Sequence, residues 1–355
     1  MTPPHHNAVI ESPSALERSL GSRGLELTRA QILAFRRRVG ALDERLPKSA
    51  KSLRVAAWAG LQDGMPRAAL LSLHARVRGI GPAALDDASL AQLWGPRYHT
   101  YVVPARDFAV FSLGRHPEPG KARDRSERIA ARLHEELSGA RKLDREVGLA
   151  LGINPNAFKY AATTGTVAIR WDGARAPVVW TVAAADIQPE DACRELARRH
   201  LRVFGPTTAA GFARWAGISR KAAAAAHASL ELIPVRTPLG DEWLLAEDEP
   251  TARAAPASPA PARFLPSGDA YFLLDGAERT LLVPDAGRRA QLWTSRVRPG
   301  ALLVDGEIRG TWRRAQHTVR IELWERLTPE QHAAVEAEAV ALPLPVDRAI
   351  ELDVG

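Results

Sequence analysis

The sequence repeats one pattern three times between Leu27 and Leu245: amphipathic helical segments, and then short segments with the composition of β-strands. The clearest turn is Asp172-Gly173, a dipeptide typical of a tight hairpin, with a β-rich segment on either side. Helices followed by a hairpin are the elements of a winged helix-turn-helix. We therefore predict an α+β fold with three winged helix-turn-helix modules in tandem.

Local signals place the first helix and the module boundaries. Thr28 and Gln31 have the spacing of a capping box, and Ile32, Phe35 and Val39 follow at the spacing of one helix face. A Pro/Ala-rich polar segment after the third repeat is typical of a linker. The predicted division is a flexible arm at 1–26, winged-helix modules at 27–117, 118–188 and 189–247, a linker at 248–262, and a small α+β region at 263–355.

The charge of the chain favours an acidic partner. Its formal net charge is +7, while the hydrophobic share of 46% is ordinary for a globular protein. Nucleic acid is the commonest partner of so basic a chain. The alternative is an arginine-rich composition without such a partner, because arginine outnumbers lysine here.

Other features exclude several classes of site. Cys193 is the single cysteine, so an internal disulfide and a thiolate zinc site are both excluded. The sequence has neither metal-ligand spacing nor a glycine-rich phosphate loop, and we predict no metal and no cofactor. No apolar run is long enough to span a bilayer, and the first residues lack the pattern of a signal peptide. We expect a cytoplasmic protein with no membrane partner.

A polar loop, Leu61-Gln62-Asp63-Gly64-Met65-Pro66-Arg67, separates two apolar helical segments. Glutamine beside aspartate at the start of a helix is suited to holding a water molecule or a flipped base. The alternative is that both side chains only cap the helix that follows Pro66. The residues of the loop alone leave both interpretations open.

Several short motifs follow one another in a characteristic order along the chain. They are Gly60-Leu61-Gln62, Pro66-Arg67-Ala68-Ala69, Ala75-Arg76-Val77-Arg78-Gly79, Arg97 with Val102-Val103-Pro104-Ala105, Leu196-Ala197-Arg198-Arg199 with Phe204-Gly205-Pro206, Phe264-Leu265-Pro266, Leu281-Leu282-Val283-Pro284-Asp285, and Val304-Asp305-Gly306 with Gly310-Thr311-Trp312-Arg313-Arg314. Their order resembles that of the tandem winged-helix DNA glycosylases, a family that excises bulky alkylated purines or unhooks interstrand crosslinks. The resemblance covers most of the chain from Leu27 to Leu342.

The resemblance implies an active site in the Gln62 loop. The family carries Gln-x-Gln or Gln-x-Asp there, and an alignment without gaps places Gln62 first, Asp63 in the middle and Gly64 third. Glycine has no side chain with which to hold water, so this chain departs from the family at the third position. We take Gln62 as the catalytic candidate and Asp63 as its helper. The alternatives are a catalytically silent DNA-binding member of the family and a transcriptional regulator.

The reaction that the resemblance implies is monofunctional cleavage of an N-glycosidic bond. An alkylated purine is a good leaving group because alkylation can leave the base positively charged. The transition state resembles an oxocarbenium ion, and the enzyme has to aim a water molecule at the anomeric carbon. Two polar side chains are sufficient for this task, without a strong general acid.

Basic residues near these motifs are candidates for phosphate contacts. The alternative for each is an ordinary solvated surface. His74 and His99 invite an acid/base interpretation, but partly buried structural histidines are commoner. We expect a monomer that binds double-stranded DNA, including alkylated or crosslinked DNA. The DNA-binding candidates are Arg67, Arg76, Arg97, Arg128, Arg132, Lys142, Arg309, Arg313 and Arg314.

Overall fold

The computed structural model describes residues 24–173, 175–255, 261–295, 297–344 and 349–355, and these residues form a mixed α+β fold. The flexible arm predicted at 1–26 lies outside this range except for its last three residues. The α-helices are α1 (Arg29–Val39), α2 (Ala50–Ala56), α3 (Ala68–Arg76), α4 (Phe108–Leu113), α5 (Lys121–Leu137), α6 (Asp144–Leu151), α7 (Phe158–Ala161), α8 (Pro189–Phe204), α9 (Ala209–Ala216), α10 (Arg220–Ala228), α11 (Glu249–Arg253), α12 (Glu278–Leu282), α13 (Ala286–Leu292) and α14 (Pro329–Val340).

The strands form three three-stranded sheets and one five-stranded sheet within the described residues. The three smaller sheets have the orders β2-β4-β3, β5-β7-β6 and β1-β8-β9, and the larger one runs β10-β11-β12-β13-β14. The strands are β1 (Leu25–Glu26), β2 (Leu61–Gln62), β3 (Leu90–Trp94), β4 (Thr100–Pro104), β5 (Lys142–Leu143), β6 (Val167–Arg170), β7 (Val178–Thr181), β8 (Leu232–Thr237), β9 (Gly240–Leu245), β10 (Arg263–Leu265), β11 (Gly300–Val304), β12 (Glu307–Ala315), β13 (Thr318–Leu323) and β14 (Glu351–Val354).

Strong local signals in the sequence correspond to elements of the structure. The capping box between Thr28 and Gln31 is present at the start of α1. The predicted hairpin around Asp172-Gly173 is the antiparallel pair β6 and β7. The short strands β2, β3 and β5 were not predicted, because two to five residues show little alternation and, unlike β6 and β7, these strands have no clear hairpin turn beside them.

Helix α1 contacts the third repeat, although the sequence predicts it as part of the first module. Its residues Ile32 and Phe35 share a buried cluster with Val235 and Leu244 of the third small sheet. Arg36, also on α1, donates hydrogen bonds to the carbonyl oxygens of residues 204–206 after α8. The predicted first module at 27–117 therefore shares its first helix with the third repeat. The apolar spacing predicted the helix, but it carries no information about the helix's partner.

The predicted linker begins with regular structure. Residues 249–253 form α11, and Ala252 is fully buried against the cluster that contains α1. Residues 256–260, in the middle of the predicted linker, lie outside the described part of the chain. Among the described helices, none has the length and apolar character needed to cross a membrane.

Helix α3 is buried along its whole length, because it lies between two cores. Leu70 and Leu73 pack with the first small sheet, and Leu71 packs with the five-stranded sheet. Each such leucine contributes about 1.5–3 kcal/mol through burial. The helix that follows the Gln62 loop is thus fixed on both sides.

Burial of α3 corrects the prediction that Arg76 contacts DNA. Arg76 is only 3% exposed, and its guanidinium donates to both carboxylate oxygens of Asp269, at 2.7 and 2.8 Å. Burial would raise the pKa of Asp269, but the charge and hydrogen bonds of Arg76, with a hydrogen bond from Ser72, hold this pKa below its ordinary value. Arg76 therefore joins α3 to the C-terminal region and is not available to a phosphate.

His74 has a similar structural position. It is 5% exposed, and burial, together with the nearby Arg45 and Arg263, lowers its pKa to about 3. A neutral histidine in a packed helix fits the structural alternative given above. His74 has no path to a substrate.

Replacing Asp269 by asparagine should strongly destabilise the protein. Asp269→Asn leaves the Arg76 charge buried without its counter-ion, at a cost of about 3–5 kcal/mol. The matched control is Glu44→Gln, which breaks the exposed pair with Arg78 and should cost less than about 1 kcal/mol. Thermal unfolding measures both variants. Equal unfolding midpoints for the two would contradict the role given to the buried pair.

Candidate active site

Gln62 ends a strand of the first small sheet. In β2, Leu61 pairs with Val102 and Gln62 pairs with Tyr101 of β4. The backbone amide of Asp63 continues this pairing by donating to the carbonyl of Thr100 at 2.7 Å. The sheet therefore fixes the backbone at the start of the loop, and the loop does not have to order itself when a ligand binds.

The Gln62 side chain lies between two glycines from distant parts of the chain. A Cβ atom at Gly268 would be 3.2 Å from Gln62 Cδ, and one at Gly64 would be 3.4 Å from Gln62 Nε2. Gln62 Oε1 is buried and has no hydrogen-bond partner within the described residues. A buried amide oxygen without a partner is costly, so it is a natural ligand for water or for a substrate group.

The Asp63 carboxylate is directed elsewhere, as expected for neighbouring residues at a strand end. Its Oδ1 accepts from the backbone amide of Ala69 at 3.1 Å, and its Oδ2 accepts from Gln92 Nε2 at 2.7 Å. Burial raises the pKa of Asp63, although these two hydrogen bonds oppose the shift. Asp63 thus caps α3, which is the structural alternative left open by the sequence.

Gln92 extends this contact to the second small sheet. Its Oε1 accepts from the backbone amide of Trp171 at 2.6 Å, and its Nε2 also donates to the Trp171 carbonyl at 3.1 Å. Trp171 directly precedes the Asp172-Gly173 turn. Gly173 lies so close to Pro66 that a Cβ atom there would approach it to 2.9 Å. The hairpin of the second repeat is therefore fastened to the Gln62 loop.

Two cavities open on either side of this contact, and Trp171 borders both. One, of about 640 Å³, is lined by Asp63 and Arg67 together with Arg170. The other, of about 490 Å³, is lined by Gly64 and His99. Its other lining residues are aromatic or polar for the most part: Trp94, Tyr98, Thr100, Asp144, Asn154, Pro155, Asn156, Ile169, Trp171 and Pro177. Aromatic faces and amides of this kind suit a nucleobase.

Gly64 is not required by its backbone. Its φ lies outside the left-handed region, and a Cβ atom would meet only Gln62 Nε2 at 3.4 Å and His99 Nδ1 at 3.6 Å. Gly173, by contrast, has a φ of +81° and a close neighbour. A larger residue would fit at position 64. Because glycine has no side chain, an open volume remains at position 64, next to the side chains of Gln62 and His99.

The sequence left His99 open to an acid/base role, with a partly buried structural histidine as the commoner alternative; in the structure His99 is exposed and borders the second cavity. Partial desolvation lowers its pKa, and the positive charges of Arg97, Arg298 and Lys159 lower it further. His99 is therefore neutral at neutral pH, with one ring nitrogen able to accept a hydrogen bond. Arg298 and Lys159 were not among the predicted residues, because no motif marks either of them.

Two of the predicted arginines, Arg67 of the loop and Arg314, influence each other electrostatically. Arg67 has a left-handed backbone at the start of α3, and Arg314 projects from β12. Burial lowers the pKa of Arg314, and the positive charge of Arg67 lowers it further, so the two guanidinium groups are near enough to repel each other. Neither forms an ion pair with an acidic residue in the described ranges. Two like charges that share no counter-ion favour an anion such as phosphate.

The remaining predicted basic residues are more scattered. Arg128 and Arg132 are exposed on α5, and Arg313 is exposed on β12. Others already have acidic partners: Arg97 pairs with Asp275 at 3.0 Å, Lys142 with Glu136 at 2.8 Å, and Arg309 with Glu325. The structure therefore does not bring all nine candidates to one surface.

Comparisons with known proteins show the family and the fold of the chain. No curated protein sequence matches the chain. Among solved structures, the DNA glycosylase AlkZ of Streptomyces sahachiroi is similar in fold, with a TM-score of 0.77 at 18% sequence identity, over 93% of this chain and 100% of that one. The profile of the DNA glycosylase AlkZ-like family matches residues 55–343, which is most of the sequence. The chain therefore belongs to the AlkZ-like DNA glycosylase family.

Proposed function

We propose that this protein is a monofunctional DNA glycosylase that removes alkylated purines from double-stranded DNA, with Gln62 orienting the attacking water. The observation that carries the proposal is the Gln62 amide: its buried Oε1 has no partner among the described residues, and its Nε2 lies next to Gly64, which lines a cavity of aromatic and polar side chains. The cavity volume of about 490 Å³ is within the range of small-ligand sites.

The chemistry asks little of the protein. A cationic purine leaves without protonation by a strong acid, and a water molecule held by Gln62 attacks the anomeric carbon. Asp63 in this proposal is a positioning residue, because both of its oxygens are engaged by Ala69 and Gln92. It holds the loop and α3 in place and does not reach the sugar.

The proposed DNA contacts use the repeated modules. Each small sheet is accompanied by helices, and each contains an antiparallel hairpin. We interpret the three units as winged helix-turn-helix modules arranged around one duplex, in a protein that acts as a monomer. Arg67 and Arg314 would bind a phosphate beside the lesion, and the exposed Arg128 and Arg132 would contact the backbone farther away.

A second candidate is a family member that binds DNA without catalysis. The observation in its favour is Gly64, which supplies no polar side chain at the third position of the loop. The two candidates differ in a single measurement. Binding without strand breaks after treatment with alkali, across small and bulky adducts, would support the silent protein and overturn the glycosylase.

Replacing Gln62 by alanine should abolish most of the excision. Because Gln62→Ala removes the amide that holds the water, we expect single-turnover excision to fall about 100-fold while DNA affinity changes little. Alkali-induced cleavage of a duplex with one N-alkylated purine measures the rate. Gln188→Ala is the matched control, since Gln188 is exposed and its side chain does not cap the adjacent helix. Unchanged excision by Gln62→Ala would refute the assigned site.

Replacing Asp63 should act on stability more than on chemistry. Asp63→Asn presents a donor to Gln92 Nε2, and we expect a loss of about 1–3 kcal/mol with an excision rate within about tenfold of wild type. Gln92→Leu breaks the same link to Trp171 and should reproduce both effects. Thermal unfolding and single-turnover kinetics provide the two measurements. A loss of 100-fold or more that occurs in Asp63→Asn alone would instead show that Asp63 is catalytic.

The Arg67 and Arg314 pair should contribute to the salt dependence of DNA binding. Each phosphate that is neutralised contributes about 0.9 to the slope of log affinity against log salt, so Arg67→Ala/Arg314→Ala, which removes one phosphate site, should lower the slope by about 1. The control, Arg78→Ala/Arg320→Ala, removes the same charge from exposed ion pairs and should leave the slope unchanged. Fluorescence anisotropy with a duplex at several salt concentrations gives both slopes. Equal slopes for the two double variants would contradict a phosphate site at the loop.

A further inference from the structure

The open volume beside Gly64 is bordered by two polar groups. Gln62 Nε2 and His99 Nδ1 both lie within 3.6 Å of the point that a Cβ atom would occupy at Gly64. A water molecule near this point would be within reach of an amide and an imidazole at once. The same point is where the side chain at the third position of the loop would begin, so His99 faces the space that this side chain would fill.

The strand pairing explains how His99 reaches this volume. The amide of Asp63 bonds to the carbonyl of Thr100, so the backbone that carries Gly64 runs beside the backbone that carries His99. His99 itself is held at the start of β4, where its amide donates to the carbonyl of Pro96 and its carbonyl accepts from Gly95. The sheet thus fixes His99 relative to Gln62.

The surroundings of His99 favour a neutral ring, in which one nitrogen keeps a lone pair that can accept from a water molecule. Three cations, Arg97, Arg298 and Lys159, oppose its protonation. Tyr98 and Asp144 border the same cavity and are the other ionisable groups that face it. A neutral imidazole is a stronger proton acceptor than an amide, so it can do what a second glutamine cannot.

We propose that His99 is a catalytic residue that replaces the polar side chain missing at Gly64 and, together with Gln62, binds and activates the attacking water. This inference rests on the proposed glycosylase function. The water oxygen forms a bond to the anomeric carbon as the bond from that carbon to the purine breaks. The electron pair of the broken bond leaves with the base and neutralises its positive charge. His99 Nδ1 accepts the proton that the water loses.

The experiment compares His99→Ala and His99→Gln with wild type in single-turnover excision of an N-alkylated purine from a duplex. We expect a loss of about 100-fold in His99→Ala, and a smaller loss in His99→Gln, which retains a hydrogen-bond acceptor. Because His99 is exposed, neither variant should change the unfolding midpoint or DNA affinity appreciably. His332→Ala, at a half-exposed histidine of α14, is the matched control.

A second measurement uses pH. The active form of His99 is neutral, so the wild-type rate should fall as the pH drops through the lowered pKa of this residue. In His99→Gln this decrease should disappear, because glutamine does not titrate. A decrease of the same size in both proteins would show that another group is responsible and would overturn the assignment.

A third variant restores the missing side chain. Gly64→Gln in the His99→Ala background places an amide at the third position, where the backbone accepts a side chain. We expect at least a tenfold recovery of the rate relative to His99→Ala. No recovery would contradict a water site shared between positions 62, 64 and 99.

The outcomes separate this inference from the proposed function. If wild type excises no adduct, the glycosylase proposal fails and this inference fails with it. If wild type is active, Gln62→Ala is inactive and His99→Ala remains within threefold of wild type, only the role of His99 is overturned.

Discussion

The buried ion pair between Arg76 and Asp269 holds the two sides of the Gln62 site together. Arg76 ends the helix that follows the loop, and Asp269 directly follows Gly268, whose backbone contacts the Gln62 side chain. Two charges taken out of water are tolerated only with nearly complete hydrogen bonding. Asp269 meets this condition through Arg76, Ser72 and the amide of Tyr271. The pair therefore sets the position of the C-terminal region relative to the loop and keeps Gly268 against Gln62.

Hydrogen bonds of Asp63 and Gln92 fix the other side of the loop. Asp63 binds the start of α3 and also Gln92, and Gln92 binds the backbone of Trp171 in the second repeat. Three segments far apart in sequence thus meet at one loop. The side chain of Gln62 is oriented before any ligand arrives, and this preorganisation is what water positioning requires. The three repeats supply the scaffold, and these two contacts fix the residues of the candidate site within it.

The sequence predicts the parts of this structure that depend on local signals. The Thr28 capping box, the Asp172-Gly173 hairpin and the mixed α+β class follow from residue types at short spacing. Arg76 and Asp63 were predicted to face DNA and the substrate because an arginine or an aspartate beside a motif is usually exposed. Their partners, Asp269 and Gln92, are remote in sequence, and no local pattern predicts a buried pair.

The role proposed for His99 could not be predicted from the sequence either. Its position in the sequence gave no reason to relate it to Gln62, and only the pairing of β2 with β4 brings the two together.

In the proposed mechanism, the departure at Gly64 is explained by the leaving group. Where the base already carries a positive charge, the bond to the sugar is weak and the enzyme need only place and deprotonate a water molecule. An amide and a neutral imidazole meet this demand without a carboxylate in the loop. The cations around His99 then have two effects. They lower the pKa of its ring, and in the proposed mechanism they would also attract the phosphates of the DNA, whose negative charge would stabilise the cationic sugar. Under this proposal, one chemical requirement accounts for both the basic residues near the site and the pairing of an amide with an imidazole.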